Sequence, residues 1–210
     1  MSTAISKDSG REWLAYYRYT AKRPPRELLL QTLNHLDWEK KSRRGQRAVE
    51  IGYGAGTDTL ELLRRGWQVL AIDRHEGAAR FLARRVPPGK RGALTTLVAP
   101  MEGLTLPSTN LVYASFSLPF CSPAAFPALW STIRDSIRPG GHFAGQLFGN
   151  EDSWSGNREM TFQSRKDVLR LARGFKLELI REVHEEGMAF SGPKHWHYFD
   201  LVLERTRAAT

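Results

Sequence analysis

The chain has 210 residues, of which 41% are hydrophobic and 25% are charged. These values are ordinary for a globular protein and exclude a largely disordered chain. The length is sufficient for one well-buried core and short for two independent domains. We therefore predict a single domain, residues 1–210, in which residues 1–25 form an N-terminal segment that can close over a pocket.

The formal net charge is +9, from 31 Lys and Arg against 22 Asp and Glu. Such an excess suits nucleic-acid phosphates. The basic patches are Lys40–Arg47 and the outer face of a predicted helix with Arg80, Arg84 and Arg85. No aromatic residues are interleaved with these patches, as a binder of single strands would require. A solvated basic surface is the preferred interpretation, and a nucleic-acid partner is the alternative.

Cysteine and apolar content exclude further classes of protein. The single cysteine, Cys121, cannot form an internal disulfide, and no group of Cys and His has zinc spacing. We therefore predict no metal and a reducing compartment. Met1–Gly10 contains no apolar signal core, and no run approaches the ~20 apolar residues of a membrane span. The prediction is a soluble cytoplasmic protein without a membrane partner, either a monomer or a homodimer.

Aromatic and basic residues are mixed near the start of the chain. The aromatic members are Trp13, Tyr16, Tyr17 and Tyr19, within the segment Arg11–Arg26. Such a segment either closes over a pocket or forms a helix whose rings cover the sheet. The sequence leaves both interpretations open.

The main motif is a short apolar strand that ends in a glycine-rich turn. Ala48–Ile51 suits a buried strand, and Gly52, Gly54 and Gly56 follow at alternate positions. Glycine lets the backbone bend sharply and approach a ligand closely. The segment therefore indicates a ligand-binding turn.

A helix is predicted to begin directly after this turn. Asp58 and Glu61 have the spacing of a capping box, and Gly66 suits the helix C-terminus. The N-terminus of a helix presents unpaired N–H groups and a partial positive charge. Strand, glycine turn and helix together indicate a nucleotide-type site.

An acidic residue follows the next strand. Asp73 comes after the strand Trp67–Ile72, 21 residues beyond Gly52. Dinucleotide-binding proteins place a ribose-binding acid at about this interval. Their pattern also requires Gly or Ala three residues after Gly54, and position 57 is Thr. A nicotinamide-dependent oxidoreductase is therefore only a third alternative.

The remaining segments alternate between strands and helices, which predicts a parallel sheet covered on both faces. The predicted elements are helix Arg26–Leu36, helix Glu76–Arg85, strand Ala93–Ala99, strand Asn110–Phe116, a helix from Pro123 to Ile137, strand His142–Phe148, and a helix capped by Ser164 and Asp167. The last two strands, Lys176–Val183 and His195–Leu203, should pair antiparallel across a loop, Glu185–Lys194. The polar stretch Gly149–Gln163 is expected to be a loop at the functional edge, where long loops are often lids.

The register Glu50-x-Gly52-x-Gly54-x-Gly56, with Asp73, resembles motif I and the following acid of class I S-adenosylmethionine-dependent methyltransferases. The segment Ile137–Gly141 and the strand after it also resemble this superfamily. The resemblance implies an α/β fold: a Rossmann-like, doubly wound, seven-stranded, mostly parallel sheet with an antiparallel C-terminal strand pair. The short chain and several segments look like the small bacterial tellurite-resistance or thiopurine-like methyltransferase group.

The resemblance implies S-adenosyl-L-methionine as cofactor, with S-adenosyl-L-homocysteine as product. Its implied contacts are Glu50, Gly52, Tyr53, Gly54, Ala55, Gly56, Asp58, Asp73, Arg74, Met101, Glu102, Ser115 and Phe116. Two positions depart from the family pattern. Tyr53 replaces a small residue, so its ring either shapes the methionine end of the pocket or packs elsewhere. Pro100 replaces an acid that contacts adenine, which leaves that contact to the Met101 N–H or to Glu102.

Methyl transfer from a sulfonium is an in-line displacement in which alignment supplies much of the rate. A catalytic base is not obligatory, and the candidates are His195, His197 and Tyr17. Tyr16, Tyr17, Phe148 and Trp154 are candidates to wall the sulfonium or the acceptor. The predicted function is methyl transfer to a small-molecule acceptor. The alternative is a non-catalytic S-adenosylmethionine-binding or nucleic-acid-associated module.

Overall fold

The computed structural model describes residues 10–39 and 45–206. One seven-stranded sheet forms its centre, with strands β1 (Arg47–Ile51), β2 (Gln68–Asp73), β3 (Leu94–Val98), β4 (Thr109–Ala114), β5 (Ile137–Phe148), β6 (Phe175–Ala189) and β7 (Gly192–Arg205). The strand order is β3-β2-β1-β4-β5-β7-β6. Strands β1 to β5 are parallel to one another, and β7 is antiparallel to both of its neighbours. The predicted fold class is confirmed.

Helices cover both faces of this sheet. They are α1 (Gly10–Thr20), α2 (Glu27–Glu39), α3 (Thr57–Arg64), α4 (Glu76–Ala83), α5 (Phe126–Ser136) and α6 (Arg165–Leu171). Neighbouring residues of a central strand point to opposite faces. On β4, Tyr113 packs with the α2–α3 side, whereas Val112 packs with the α5–α6 side. Both faces are therefore buried, as the apolar strand sequences predict.

The capping box predicted for the N-terminus of α3 is wrong. The residue before the helix is Gly56, and no side chain caps the first turn. The Asp58 carboxylate instead accepts bonds from the Arg23 guanidinium at 2.8 and 3.1 Å. Glu61 pairs with Arg64 and Arg65 on its own helix and on the C-terminal side. Tertiary ion pairs therefore replace the predicted capping box.

The predicted loop Glu185–Lys194 is also wrong. β6 and β7 continue through it as a hairpin, and only Phe190 and Ser191 lie between the last paired residues. The end of β6 is mostly exposed, whereas β7 opposite it carries the buried Lys194 and the half-buried Trp196. The polar residues and Gly187 of this stretch do not alternate clearly with apolar ones, so its sequence indicates a loop. The long hairpin places its tip beside the C-terminal edge of the sheet, next to α1.

Two other predicted features differ in outcome. The capping box of Ser164 and Asp167 at α6 is confirmed, since each residue bonds the backbone of the other. The segment 138–141, which lies between the predicted helix and strand, belongs to β5, which begins at Ile137 and has an irregular register beside β4.

In the part of the chain that the structure describes, no helix is long and apolar enough to cross a membrane. Most of the basic patch Lys40–Arg47 lies outside the described residues.

Candidate active site

A cavity of about 590 Å³ opens beyond the carboxyl ends of the central strands. This is the edge at which doubly wound sheets bind ligands, and the volume lies within the usual range of small-molecule sites. Residues from α1, from the turns after β1, β2 and β4, and from the β6–β7 hairpin line it. We call the part around Glu50–Asp58, Asp73 and Met101 the cofactor half, and the part around Phe116, Gln146 and β7 the acceptor half.

The glycine turn of the cofactor half can be built only with glycine at two positions. Gly52 has φ +73°, and a Cβ atom there would overlap Ser117. Gly56 has φ +75°, and a Cβ atom there would overlap Leu82 of α4. L-residues rarely adopt these dihedral angles. The turn therefore fits closely between the β4 loop and α4, and leaves backbone groups facing the cavity.

Asp73 ties the second strand to this turn. Its Oδ2 accepts the Gly54 N–H at 3.0 Å, and its Oδ1 accepts the His75 N–H at 3.1 Å and the Tyr17 hydroxyl at 3.2 Å. Burial raises the pKa of Asp73 above its ordinary value, although these bonds oppose the shift. Burial and the carboxylate also raise the pKa of Tyr17. Tyr17 is therefore a donor to Asp73 and not a base at neutral pH.

A pair of buried acids, Glu50 and Asp58, lies below the turn. Glu50 accepts a hydrogen bond from Thr59 Oγ1 at 2.6 Å, and burial together with the charge of Asp58 raises the pKa of Glu50 well above its ordinary value. Asp58 is neutralised by Arg23 and also accepts the Arg26 N–H at 2.9 Å. The cofactor half thus combines several acids with few cations.

Several buried polar atoms at the cavity have no hydrogen-bond partner among the described residues. Two of them are the hydroxyl of Tyr53 and Nε of Arg26. Tyr53 is 3% exposed and lines the cavity, and burial raises the pKa of its hydroxyl. The Arg26 guanidinium lies 4.8 Å from the centre of the Phe116 ring. Both groups are available to a ligand, because a buried polar atom without a partner is unfavourable.

Aromatic side chains form the wall of the acceptor half. Phe116 lies at the end of β4 with φ +51°, the only positive φ outside glycine in the described residues. Its ring contacts Tyr198 at 5.1 Å and Trp196 at 5.8 Å between centroids. Phe148 contacts Trp154 and Trp196 at 6.0 and 5.9 Å. A strained residue inside an aromatic wall is typical of a functional site.

A buried ion pair supports this wall from behind. The Lys194 ammonium pairs with Asp152, and neither side chain is exposed. The Lys194 nitrogen also lies 4.1, 4.5 and 4.9 Å from the ring centres of Trp196, Trp154 and Phe148. Cation–π contacts of this kind strengthen when water is excluded. The ion pair thereby fixes three rings of the acceptor half.

The tip of the β6–β7 hairpin lies over the cavity opposite α1. Phe190 contacts Tyr16 at 5.9 Å and Tyr19 at 5.8 Å between centroids. Met188, which is 69% exposed, also lines the opening. The aromatic N-terminal segment and the hairpin together flank the entrance.

The structure brings most of the predicted cofactor residues to this cavity. Those that line it are Glu50, Gly52, Tyr53, Gly54, Ala55, Asp58, Asp73, Arg74, Met101, Ser115 and Phe116, whereas Gly56 and Glu102 do not. Of the predicted wall residues, Tyr16, Tyr17, Phe148 and Trp154 all line it. The loop 149–163 packs through buried Trp154 and Met160 against the sheet.

The structure does not bring His195 and His197 to the cavity. His195 Nδ1 lies 2.6 Å from Glu186 on the neighbouring strand. His197 is buried, and its Nδ1 accepts the Glu151 N–H at 3.0 Å while its Nε2 faces Glu182 at 3.1 Å. Both ring nitrogens of His197 are occupied. Of the three candidate bases, only Tyr17 therefore lies at the cavity.

Sequence reasoning missed several residues that line the cavity. They are Arg26, Gln146, Arg181, Trp196, Tyr198 and Asp200. A signal was present for Gln146 and Asp200, because each is a polar residue whose neighbours on both sides in the strand are apolar or glycine. Buried polar side chains of this kind need a partner, and the partner lies on another strand or on a ligand.

Comparison with known families agrees with this geometry. Residues 48–141, which include the glycine turn and Asp73, match the family model described as a methyltransferase domain. The match identifies this part of the chain as a methyltransferase domain. No curated protein matches the chain by sequence.

Solved structures share the fold of this chain. TehB from Haemophilus influenzae has a TM-score of 0.67 at 12% identity over 84% of this chain, which spans only 62% of the TehB chain. A chain in the complex of the Haloferax volcanii Trm112 methyltransferase activator with a putative methyltransferase has a TM-score of 0.70 at 14% identity, with 97% and 99% of the two chains covered.

A third similar structure contains ligands. It is the Burkholderia thailandensis 1,6-didemethyltoxoflavin-N1-methyltransferase with bound 1,6-didemethyltoxoflavin and S-adenosylhomocysteine. Its TM-score is 0.66 at 19% identity, with 94% of this chain and 87% of that chain covered. At these identities the similarities establish the fold alone. The acceptor must be argued from the cavity itself.

Proposed function

We propose that this methyltransferase transfers the methyl group of S-adenosylmethionine to a small-molecule acceptor by in-line displacement. The observation that carries the proposal is one cavity with two unlike halves, a glycine turn with Asp73 at one end and an aromatic wall at the other. Such an arrangement places two small molecules end to end. Proximity and alignment of this kind are worth roughly 7–11 kcal/mol of a reaction barrier.

The cofactor half supplies complementary groups for each part of S-adenosylmethionine. A ribose hydroxyl can bond Asp73, either at the free lone pair of Oδ2 or in place of the Tyr17 hydroxyl at Oδ1. The Arg26 guanidinium, which has no carboxylate partner among the described residues, is the counter-ion for the methionine carboxylate. The Tyr53 hydroxyl supplies a further hydrogen bond. Met101 lines the adenine side.

The acceptor half is suited to a flat molecule and not to a macromolecule. Phe116, Phe148 and Trp196 enclose it, and α1 and the hairpin flank its entrance. The relative from Burkholderia thailandensis is named for a small-molecule substrate, which supports this reading. A base is not required by the proposal, and the His residues of β7 are not at the cavity. A cytoplasmic location and the tellurite-resistance or thiopurine-like subgroup stay predictions.

Calorimetry followed by turnover tests the proposal. We expect S-adenosylmethionine and S-adenosylhomocysteine to bind the purified chain with one site each, and NADH to show no binding. Methyl-labelled S-adenosylmethionine should then label a member of a panel of small phenols, thiols and heteroaromatic amines. Binding of the cofactor without transfer to any small acceptor, together with labelling of RNA or DNA, would overturn the small-molecule assignment.

A further inference from the structure

The acceptor half contains a row of polar side chains across three strands. Gln146 of β5 is paired in register with Asp200 of β7, and Asp200 is paired with Arg181 of β6. All three line the cavity. Since they lie two and more strands away from the glycine turn of β1, they belong to the acceptor and not to the cofactor.

Hydrogen bonds in this row fix the orientation of the Gln146 amide. Gln146 Nε2 donates to Asp200 Oδ1 at 2.8 Å. Arg181 donates to Asp200 Oδ2 from Nε at 2.9 Å and from Nη2 at 2.6 Å, so the carboxylate forms an ion pair with this guanidinium. A carboxylate paired in this way only accepts hydrogen bonds. The amide nitrogen must therefore face Asp200, and the alternative flip of the side chain is excluded.

The other end of the amide is left without a partner. Gln146 is only 2% exposed, and its Oε1 has no hydrogen-bond partner among the described residues. A buried acceptor that stays unpaired destabilises the fold, so its persistence needs an explanation. A hydrogen-bond donor on a bound molecule supplies one.

The surrounding rings define the rest of the molecule. Phe148 and Tyr198 are paired in register two residues further along the same strands, and both line the cavity with Trp196. Rings of this size stack on flat π-systems and exclude water from the bonded amide. The combination of a fixed carbonyl and flat walls selects for one class of compound.

We propose that Gln146 is the acceptor-specificity residue, and that its side-chain carbonyl, held by Asp200 and Arg181, binds an N–H or O–H group of a planar aromatic methyl acceptor. The proposal rests on the assignment of this cavity as a methyl-transfer site. It names the acceptor class within that site. Asp200 is a positioning residue, since it acts through the Gln146 amide.

Matched pairs of probes test the assignment without knowledge of the natural acceptor. Indole and 1-benzofuran differ in a ring N–H, and phenol and anisole differ in an O–H. Each is titrated by ligand-observed NMR into the protein, with and without saturating S-adenosylhomocysteine. We expect the N–H or O–H member of each pair to bind at least about tenfold more tightly. Equal binding within both pairs, or no binding of indole and phenol, would overturn the inference.

Two variants locate the discrimination at the amide. Gln146→Met keeps a similar shape without the carbonyl, and we expect the preference within each pair to fall below about twofold while affinity for S-adenosylhomocysteine is unchanged. In Asp200→Asn the amide is free to flip, so the preference should weaken with little change in total affinity for indole. Retained discrimination in Gln146→Met contradicts the assignment. If Gln146→Met does not fold, the matched pairs on the unmodified protein decide alone.

The cofactor titration separates this inference from the proposed function. If the unmodified protein does not bind S-adenosylhomocysteine, the proposed function is wrong, regardless of how the aromatic probes bind. Binding of S-adenosylhomocysteine with no discrimination between the probes would end only the role of Gln146.

Discussion

The two halves of the cavity are built from different material. The cofactor half comes mainly from one continuous segment, residues 47–58, and from Asp73 at the end of the adjacent strand, with Arg26 and Met101 added from other segments. Its ligand-facing groups are backbone atoms, acids and the side chains of Tyr53 and Arg26. The acceptor half gathers Phe116, Gln146, Trp154 and Asp200 from four separate parts of the chain. Its ligand-facing groups are large side chains held by other side chains.

This difference teaches how a common cofactor site is combined with a particular acceptor site. A backbone turn depends on a few glycines and tolerates change elsewhere. A wall of side chains depends on every residue that holds it, and changes when one of them changes. Variants that act on one half and spare the other therefore test the division directly.

The largest expected effect is in the acceptor half. Lys194→Met leaves Asp152 buried without its partner, so we expect the free energy of unfolding in urea to fall by about 3–5 kcal/mol. The remaining folded protein should keep its affinity for S-adenosylmethionine. Lys176→Met is the matched control, because Lys176 is 65% exposed and its solvent-screened ion pairs should contribute little to stability. Equal losses in the two variants would contradict a supporting role for the buried pair.

The next effect is in the cofactor half. Asp73→Ala removes charged hydrogen-bond acceptors from the ribose, each worth about 1.5–3 kcal/mol, so calorimetry should give roughly 10- to 150-fold weaker S-adenosylmethionine binding. Glu102→Gln serves as control, since Glu102 does not line the cavity and the change should alter affinity less than about twofold. The ribose assignment fails if Asp73→Ala binds as tightly as the control.

The buried acid Glu50 predicts a pH effect on stability. Burial and the charge of Asp58 raise the pKa of Glu50 in the folded state. The contribution of protonated Glu50 to the free energy of unfolding is therefore fully present below the ordinary Glu pKa, and it is lost as pH rises through the folded-state pKa. Each pH unit in that window removes about 1.4 kcal/mol. Glu50→Gln should abolish this part of the slope. Urea unfolding of the cofactor-free protein at pH 5, 6 and 7 measures it, and parallel curves for the two proteins would refute it.

The smallest effect expected is at Tyr53. Tyr53→Phe removes one hydroxyl that has no protein partner in the described residues, so affinity for S-adenosylmethionine should fall about fivefold, near 1 kcal/mol. Tyr198→Phe is the contrasting variant, because its hydroxyl bonds Glu185 at 3.3 Å in the acceptor half and should leave cofactor affinity unchanged. Equal cofactor affinity in all three proteins would remove Tyr53 from the site.

The errors of the sequence analysis share one cause. Asp58 was predicted to cap α3 from local spacing, whereas it pairs with Arg23, which lies 35 residues away. The hairpin end was predicted as a loop because its polar residues and Gly187 interrupt the apolar alternation, although β6 and β7 stay paired there and Lys194 lies against the Trp154 ring. In each case a tertiary contact overrode the local signal.

The sequence by itself determined the cofactor half and the order of the sheet. Glycines at positions 52, 54 and 56 carry backbone requirements that are written locally, and the apolar periods of strands and helices indicate which faces are buried. Only the tertiary structure decided the acceptor half. Gln146, Asp200 and Arg181 are single polar residues on three strands, and their meaning arises from strand pairing that brings positions 54 and 19 residues apart into one hydrogen-bonded row. Local patterns encode backbone geometry, whereas a side-chain site is defined by which distant residues fold together.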